Sequence, residues 1–213
     1  SMITPHPKVK EADKENIFEF KDAEGRIIFV QVRVERENGE KSYVPFTYWD
    51  DDEWRMCEPD GDLPLFNADK LKGEACVFIH EGAKAARRMQ WMVEAHDREA
   101  KAALAAHPWG RELSDSGHVG WVGGAMNSPR TDWGPIKSKN ISIYIVADND
   151  RPGLEAVSAI SKILRRPMAA VQFDDRWQVG FDLADPWPER ADWWRGDKYI
   201  GPSLNECVFP ATW

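Results

Sequence analysis

The chain has 213 residues and a formal net charge of −8, with 42% hydrophobic and 30% charged residues. That length suits one medium domain, or a domain with a small appendage, and buries a real core; the composition is that of a soluble globular protein, and no apolar run approaches the roughly 18 residues that cross a bilayer, which excludes a membrane as partner. The negative charge excludes a nucleic-acid binder that works through one broad basic face, so any such contact must be local or bridged by metal ions.

In chain order, residues 1–15 are polar, carry Pro5 and Pro7, and are expected to be flexible. Ser1-Met2 reads as a tag-cleavage scar, and no secretory signal opens the chain. Residues 16–72 form a small antiparallel β subdomain. Ile17–Phe20 is a first strand, and Asp22-Ala23-Glu24-Gly25 is a turn. Arg26–Arg36 alternates apolar and polar residues from Phe29 on, and Asn38-Gly39 is a strong hairpin signal. Ser42–Trp49 is the third strand, with Trp54 on a short fourth; residues 57–72 are a loop.

From residue 73 the period changes. Cys76–Ile79 is a short apolar run, the mark of a buried strand, and ends at Glu81-Gly82. A helix follows, with Ala83, Ala86, Met89, Met92 and Val93 near one face, running to about Ala106, where His107-Pro108 stops it. Residues 109–140 are rich in Gly, Ser, Pro and Asn, with a short strand at His118–Val122. Ile141–Ala147 is a second buried strand and ends at Asp148-Asn149-Asp150. A second helix spans Gly153–Arg165 with Leu154, Val157, Ile160 and Leu164 inward, and Ala169–Phe173 is a third strand. Alternating strands and helices imply a parallel sheet with crossover helices over residues 73–186. The tail, 187–213, rich in Trp and Pro, is expected to wrap the surface.

The three cysteines, Cys57, Cys76 and Cys207, are too scattered for a zinc knuckle. Their odd, sparse count points to reduced thiols in a cytoplasmic compartment. Most of the eleven tryptophans are packing residues; a minority are candidates for stacking on bases.

Ligands of an open parallel sheet bind beyond the carboxyl ends of its strands. Two strands here end in acids, at Glu81 and at Asp148 and Asp150, and three carboxylates converge if those strands are neighbours. Clustered carboxylates repel one another unless a cation neutralises them or one is protonated. Oxygen donors favour Mg²⁺ or Mn²⁺, which share their coordination with waters and substrate phosphates, so phosphoryl or nucleotidyl transfer is the natural chemistry. Each piece also has a plain structural reading: Glu81 as a helix start favoured by the dipole, and Asp-x-Asp-Gly as a loop. A calcium loop is excluded, because Pro152 and Ala159 stand where Asp or Asn and Glu are needed. An aspartyl-phosphate enzyme does not fit Arg151-Pro152 after the acids.

Val77-Phe78-Ile79-His80-Glu81-Gly82-Ala83-Lys84 and Ile143-Tyr144-Ile145-Val146-Ala147-Asp148-Asn149-Asp150-Arg151-Pro152-Gly153 together resemble the Toprim domain, over roughly residues 73–186. That domain is shared by primases, type IA and type II topoisomerases and some nucleases. The run Glu81-Gly82-Ala83-Lys84, the segment Gly123-Gly124-Ala125 and Gly180-Phe181-Asp182-Leu183-Ala184-Asp185 are most similar to the primase-related domains of phages and plasmids. Phe20–Arg26 resembles the region that precedes Toprim there. The resemblance implies an α/β fold with a Rossmann-like parallel sheet flanked by helices, preceded by the antiparallel subdomain. It implies Glu81 as general base or acid or as a metal ligand, Asp148 and Asp150 as catalytic ligands of one or two Mg²⁺ or Mn²⁺ ions, and Asp182 or Asp185 as a further acid beside them. Lys84, Arg87, Arg88 and Arg151 are the candidate phosphate and nucleic-acid contacts, against the plain alternative of solvated surface charges. His80 and His118 are given no role. The implied partners are single-stranded DNA and nucleotides, with a helicase or a zinc-binding module on another chain or elsewhere in a parent protein. The chain has neither the cysteine cluster of a primase zinc module nor the phosphate loop of a helicase. A primase-type nucleotidyltransferase, a nuclease using water on the same acids, and a non-catalytic replication accessory protein all remain open at this point.

Overall fold

In the computed structural model, which describes residues 6–211, a short helix α1 (Pro7–Lys10) leads into an antiparallel sheet. Its strands are β1 (Ile17–Lys21), β2 (Ile27–Glu35), β3 (Lys41–Tyr48) and β4 (Trp54–Arg55), in that spatial order. The scar at Ser1-Met2 and the terminal Trp213 lie outside the described residues. The first turn is held by the Asp22 carboxylate, which accepts from the backbone N–H of Glu24 at 3.0 Å and of Arg26 at 2.9 Å. In the second, the Asn38 side chain accepts from Glu40 N–H at 3.0 Å.

The alternation expected along β2 is only half kept: Phe29, Val30, Gln31 and Val32 are all buried. Both faces of the strand are covered, so apolar residues fall on both, and Gln31 is the polar exception, lying where the strand borders a cleft. Phe29 packs with Phe18 and Phe20 against Ala83 and Ala86 of the first long helix, whereas Val30, Val32 and Phe46 pack with Val9 of α1. Residues 6–15 are therefore not a loose end; Val9, only 5% exposed, closes the outer face of the sheet.

The second sheet has five strands in the order β11-β8-β7-β5-β6. These are β5 (Cys76–Glu81), β6 (Ser116–Trp121), β7 (Ser142–Val146), β8 (Met168–Val171) and β11 (Val208–Ala211), with the two-residue strands β9 (Trp194–Arg195) and β10 (Lys198–Tyr199) forming a separate hairpin. All pairings in the five-stranded sheet are parallel except β11 with β8. The connecting helices are α2 (Ala83–Glu94), α3 (Arg98–Ala106), α4 (Gly110–Leu113), α5 (Gly134–Lys137) and α6 (Arg151–Leu164). One face of the sheet carries Val77, Ile79, Ile143 and Ile145 against Val157 and Ile160 of α6. The other carries Phe78, Val146 and Val171 against Met89 and Met92 of α2. Cover on both faces is why these strands are unbroken apolar runs. This is the expected α/β arrangement: a mostly parallel sheet flanked by helices, with a small antiparallel sheet before it. Among the described residues no helix is long and apolar enough to cross a membrane.

Three local expectations are corrected. The helix beginning at Ala83 does not run on to Ala106. It ends where Ala95 turns left-handed (φ 45°), and a new helix starts because the Asp97 carboxylate accepts from Ala100 N–H at 2.7 Å. In α6 the buried stripe runs through Gly153, Ala156, Val157, Ile160 and Leu164, which leaves Leu154 54% exposed rather than inward. The tail is not a surface wrap, because β11 extends the sheet and Trp193, Leu204 and Cys207 are buried with Phe173 and Trp177. Aromatic burial drives that docking. Trp109, fully buried, stands edge-on to Trp187 at 4.8 Å and donates from its indole Nε1 to the Pro202 carbonyl at 2.8 Å. Replacing Trp109 with Ala should lower the unfolding free energy by about 3–5 kcal/mol in urea titration, as for other buried large-to-small changes; a loss under about 1 kcal/mol would show that the tail docks without it.

Candidate active site

Strand β5 lies directly beside β7, with His80 in register with Val146, so the two chains leave the sheet at one edge. Glu81 is the last residue of β5, and Asp148 follows β7 by two positions. The Asp148 backbone N–H donates to Glu81 Oε2 at 3.3 Å. Gly82, at φ 91°, makes the sharp step from strand to helix in a conformation that side-chain-bearing residues rarely adopt. On the other side α6 comes so near the Asp148 loop that a Cβ on Gly153 would stand 2.3 Å from the Asp148 carbonyl oxygen.

Asn149, between the two aspartates, is a fastener that sequence reasoning missed. Its side-chain amide donates to the carbonyls of Trp177 at 3.3 Å and Gln178 at 3.1 Å. Its backbone exchanges hydrogen bonds with the same loop, donating to Phe181 at 3.2 Å and accepting from Gly180 at 3.0 Å. The loop after β8 is thereby pinned beside Asp148 and delivers two more acids. Asp182 Oδ1 accepts from Ala184 N–H at 2.6 Å, and Asp185 Oδ2 accepts from Asp182 N–H at 3.0 Å. Lys84, on the first turn of α2, brings its ammonium to 3.6 Å from Asp185 Oδ1.

The electrostatics follow from this crowding. Burial, then the charges of Glu81, Asp182, Asp150 and Asp185, push the Asp148 carboxyl up to about 8. Burial also raises Asp182, an effect opposed by Lys84 and reinforced by Asp185. The acids thus form a negative centre that either holds a proton near neutrality or accepts a cation.

Glu81, Asp148, Asp182 and Asp185 line a cleft of about 680 Å³ together with Lys84 and Gln178. A second wall comes from the antiparallel sheet: Gln31, Arg33, Lys41, Ser42 and Tyr43. Arg33 pairs in register with Tyr43 across β2 and β3, and Lys41 is two residues from Tyr43, so all three share one face. The sequence shows these residues only as the polar side of two strands; their place beside the acids comes from the packing of sheet against α2.

Of the predicted site residues, Glu81, Asp148, Asp182 and Lys84 line the cleft. Asp150 stands next to it, but its Oδ1 accepts from Gly153 N–H at 2.7 Å as the N-cap of α6. Arg87 is a structural tie: its guanidinium donates to the backbone carbonyls of Ile17, at 3.0 Å, and Glu15, and lies 4.1 Å over the Phe18 ring. Arg88 is exposed, 4.6 Å over the ring of Trp91. Arg151 points to solvent, its side chain 90% exposed and paired with Glu155 at 3.1 Å. His80 and His118 are buried, joined at 2.8 Å between ring nitrogens, and His118 also meets Ser116 Oγ at 2.9 Å. Burial pushes His80 down to about 3 and His118 well below the usual range, so both are neutral.

Among the described residues no three His, Cys, Asp or Glu side chains stand close enough together to enclose a metal ion. The donors present are carboxylate oxygens in a cleft that also carries cations. That suits Mg²⁺ or Mn²⁺, which need only one or two carboxylates beside waters and substrate phosphates, better than an ion wanting a closed protein cage.

No protein-family model matches the chain, and no curated protein matches its sequence. Among solved structures, the chain is similar to the primase fragment of the bacteriophage T7 primase-helicase protein, with 14% identity and a TM-score of 0.45 over 69% of this chain and 48% of that one. It is also similar to a chain of the bacteriophage T7 lagging-strand DNA polymerase interacting with primase domains bound to an RNA/DNA hybrid and dTTP. There the identity is 13% and the TM-score 0.48, over 74% of this chain and 64% of that one. The chain therefore spans about half and just under two thirds of these structures' own lengths.

The raised Asp148 carboxyl has a consequence for stability. The folded state holds a proton that the unfolded chain has already released, so stability declines as pH rises from the ordinary aspartate range to about 8. In EDTA the melting temperature should fall across that window, and Asp148→Asn should flatten the fall and melt higher than wild type at pH 8. Parallel profiles for the two proteins would place the titration elsewhere.

Proposed function

We propose that this chain carries a primase-type nucleotidyltransferase centre, joining ribonucleotides on single-stranded DNA in a reaction that depends on Mg²⁺ or Mn²⁺. One observation carries the reading: a single cleft holds Glu81, Asp148 and Asp182 beside Lys84, Arg33 and Lys41. Acids that need a cation and cations that fit phosphates thus line the same space. The likeness of both strand-end motifs to Toprim domains of the primase kind supports it.

Asp148 and Asp182 are the residues that would hold the metal, its remaining positions taken by waters and substrate phosphates, with Glu81 and Asp150 beside them. When bound, the metal supplies charge stabilisation at the attacking and leaving oxygens. The rest falls to the chain itself. Lys84, Arg33 and Lys41 orient the triphosphate by charge-assisted hydrogen bonds. The 3′-oxygen of one nucleotide bonds to the α-phosphorus of the next, pyrophosphate departs with the electron pair of the broken P–O bond, and Glu81 takes the hydroxyl proton. The exposed ring of Tyr43, on the same face as Arg33, offers a base a surface for stacking.

The test is synthesis and cleavage read together, using end-labelled single-stranded DNA, four ribonucleotides with one carrying a second label, and Mg²⁺ or Mn²⁺. Wild type should build labelled ribo-oligomers, Asp148→Ala should build none, and Glu81→Gln should be slower by about 10²–10⁴-fold if Glu81 moves the proton. Shortened DNA that vanishes in Asp148→Ala would replace this reading with a nuclease; neither product would leave an accessory protein.

A further inference from the structure

Three clefts join end to end along one side of the molecule. The acid-lined cleft shares Lys84 with a neighbour of about 450 Å³. That neighbour shares Arg87 and Trp91 with a third, of about 760 Å³, which reaches the N-terminal segment and β1. The run starts at the acidic centre, follows α2 and ends beside α1.

Beyond the acidic cleft its lining is cationic on balance, although the whole chain carries −8. The second cleft presents Lys84, Arg87 and Arg88, and the third adds Lys10, Lys14, Lys21 and Lys70. Four acids stand among them: Glu15, Glu19, Asp69 and Glu94, the last already paired with Lys70 at 2.9 Å. Arg87 is fixed by its bonds to the Glu15 and Ile17 carbonyls, so one charge is held rigidly midway. Beside it the Arg88 guanidinium lies 4.6 Å over the Trp91 ring, a cation on an aromatic face of the kind that stacks with bases.

We propose that single-stranded nucleic acid follows this run, passing from the acidic cleft by Lys84, over the Arg88–Trp91 pair, to Lys14 and Lys10. The proposal rests on the nucleotidyl-transfer reading for the identity of the strand, and it adds where that strand goes. A linear groove of spaced cations with an aromatic platform matches a polynucleotide, which has a charge per residue and a flat base. An acidic peptide would use the charges but not the platform. The run also resolves how a negatively charged chain can hold nucleic acid: by a local stripe, not a face.

Fluorescence anisotropy with labelled oligothymidylates of about 6 and about 20 nucleotides tests it, in EDTA and across a salt series, since site sizes for such strands are about 4–16 nucleotides. Wild type should bind the longer strand several-fold tighter. Lys10→Ala/Lys14→Ala, two exposed positions, should narrow that advantage and reduce the slope of log affinity against log salt by about 1.4, at about 0.7 per lost phosphate contact. Arg88→Ala, at a separate exposed position, should weaken the longer strand several-fold, and both variants should melt with wild type. Unchanged affinity and slope in both would overturn the proposal, as would polyglutamate displacing the strand as well as unlabelled oligothymidylate does. Asp148→Asn separates this from the enzymatic reading. A strand bound equally by wild type and Asp148→Asn, with no synthesis by wild type, removes the nucleotidyltransferase and keeps the track. Synthesis by wild type with binding untouched in the lysine and arginine variants removes the track and keeps the enzyme.

Discussion

Strand β5 pairs in parallel with β7 on one side and β6 on the other, and everything at the site depends on that adjacency. Had another strand come between β5 and β7, Glu81 and Asp148 would be separated by a further strand spacing of about 4.8 Å, and their mutual repulsion would fall accordingly. Instead the Asp148 amide reaches the Glu81 carboxylate, and the sheet holds together two acidic groups that water would keep apart. The apolar faces of the sheet, buried against α2 and α6, supply the free energy that keeps such an arrangement folded.

From that pairing the other elements take their places. Helix α2 must begin at Gly82 and α6 near Gly153; the first glycine is favoured by its positive φ of 91°, the second by how closely the Asp148 backbone approaches it. Asn149 then fastens the loop after β8, so that Asp182 and Asp185 join the acids. The antiparallel sheet packs Phe18, Phe20 and Phe29 onto α2, and the same face, further along β2 and β3, carries Arg33, Lys41 and Tyr43 to the cleft. One face is thus apolar where it meets the helix and cationic where it meets the acids. A change on that face that tilted the sheet would alter both packing and site.

How far the sequence revealed this depended on range. Strands β5 and β7 were legible because they are covered on both faces, which leaves apolar runs ended sharply by Glu81 and Asp148. The turns at Asp22 and Asn38 were legible because local side-chain bonds make them. The break after Glu94 was hidden, since Ala95 is an excellent helix former and only the Asp97 cap betrays the restart. Leu154 misled because its spacing to Val157 fits a helical stripe, yet the stripe that packs is centred on Ala156, Val157, Ile160 and Leu164 and leaves Leu154 off its edge. Arg87 had the right type for a phosphate contact, but its use as a tie to Ile17 is a long-range fact. The same holds for Arg33, Lys41 and Tyr43, whose alternation says which face they share and nothing about what lies opposite. The tail was hardest, since Trp and Pro composition suits a surface strap as well as a fifth strand paired with β8.

The central claim is that Glu81, Asp148 and their neighbours form one negative centre that exchanges a proton for a divalent cation. Calorimetric titration of Mn²⁺ at pH 7, in two buffers with different ionisation heats, measures that exchange directly. Wild type should bind with release of most of a proton, because the Asp148 carboxyl is held up to about 8, and Asp148→Asn should lose both binding and release. Equal Mn²⁺ affinity in the two proteins, or binding with no proton released, would contradict it.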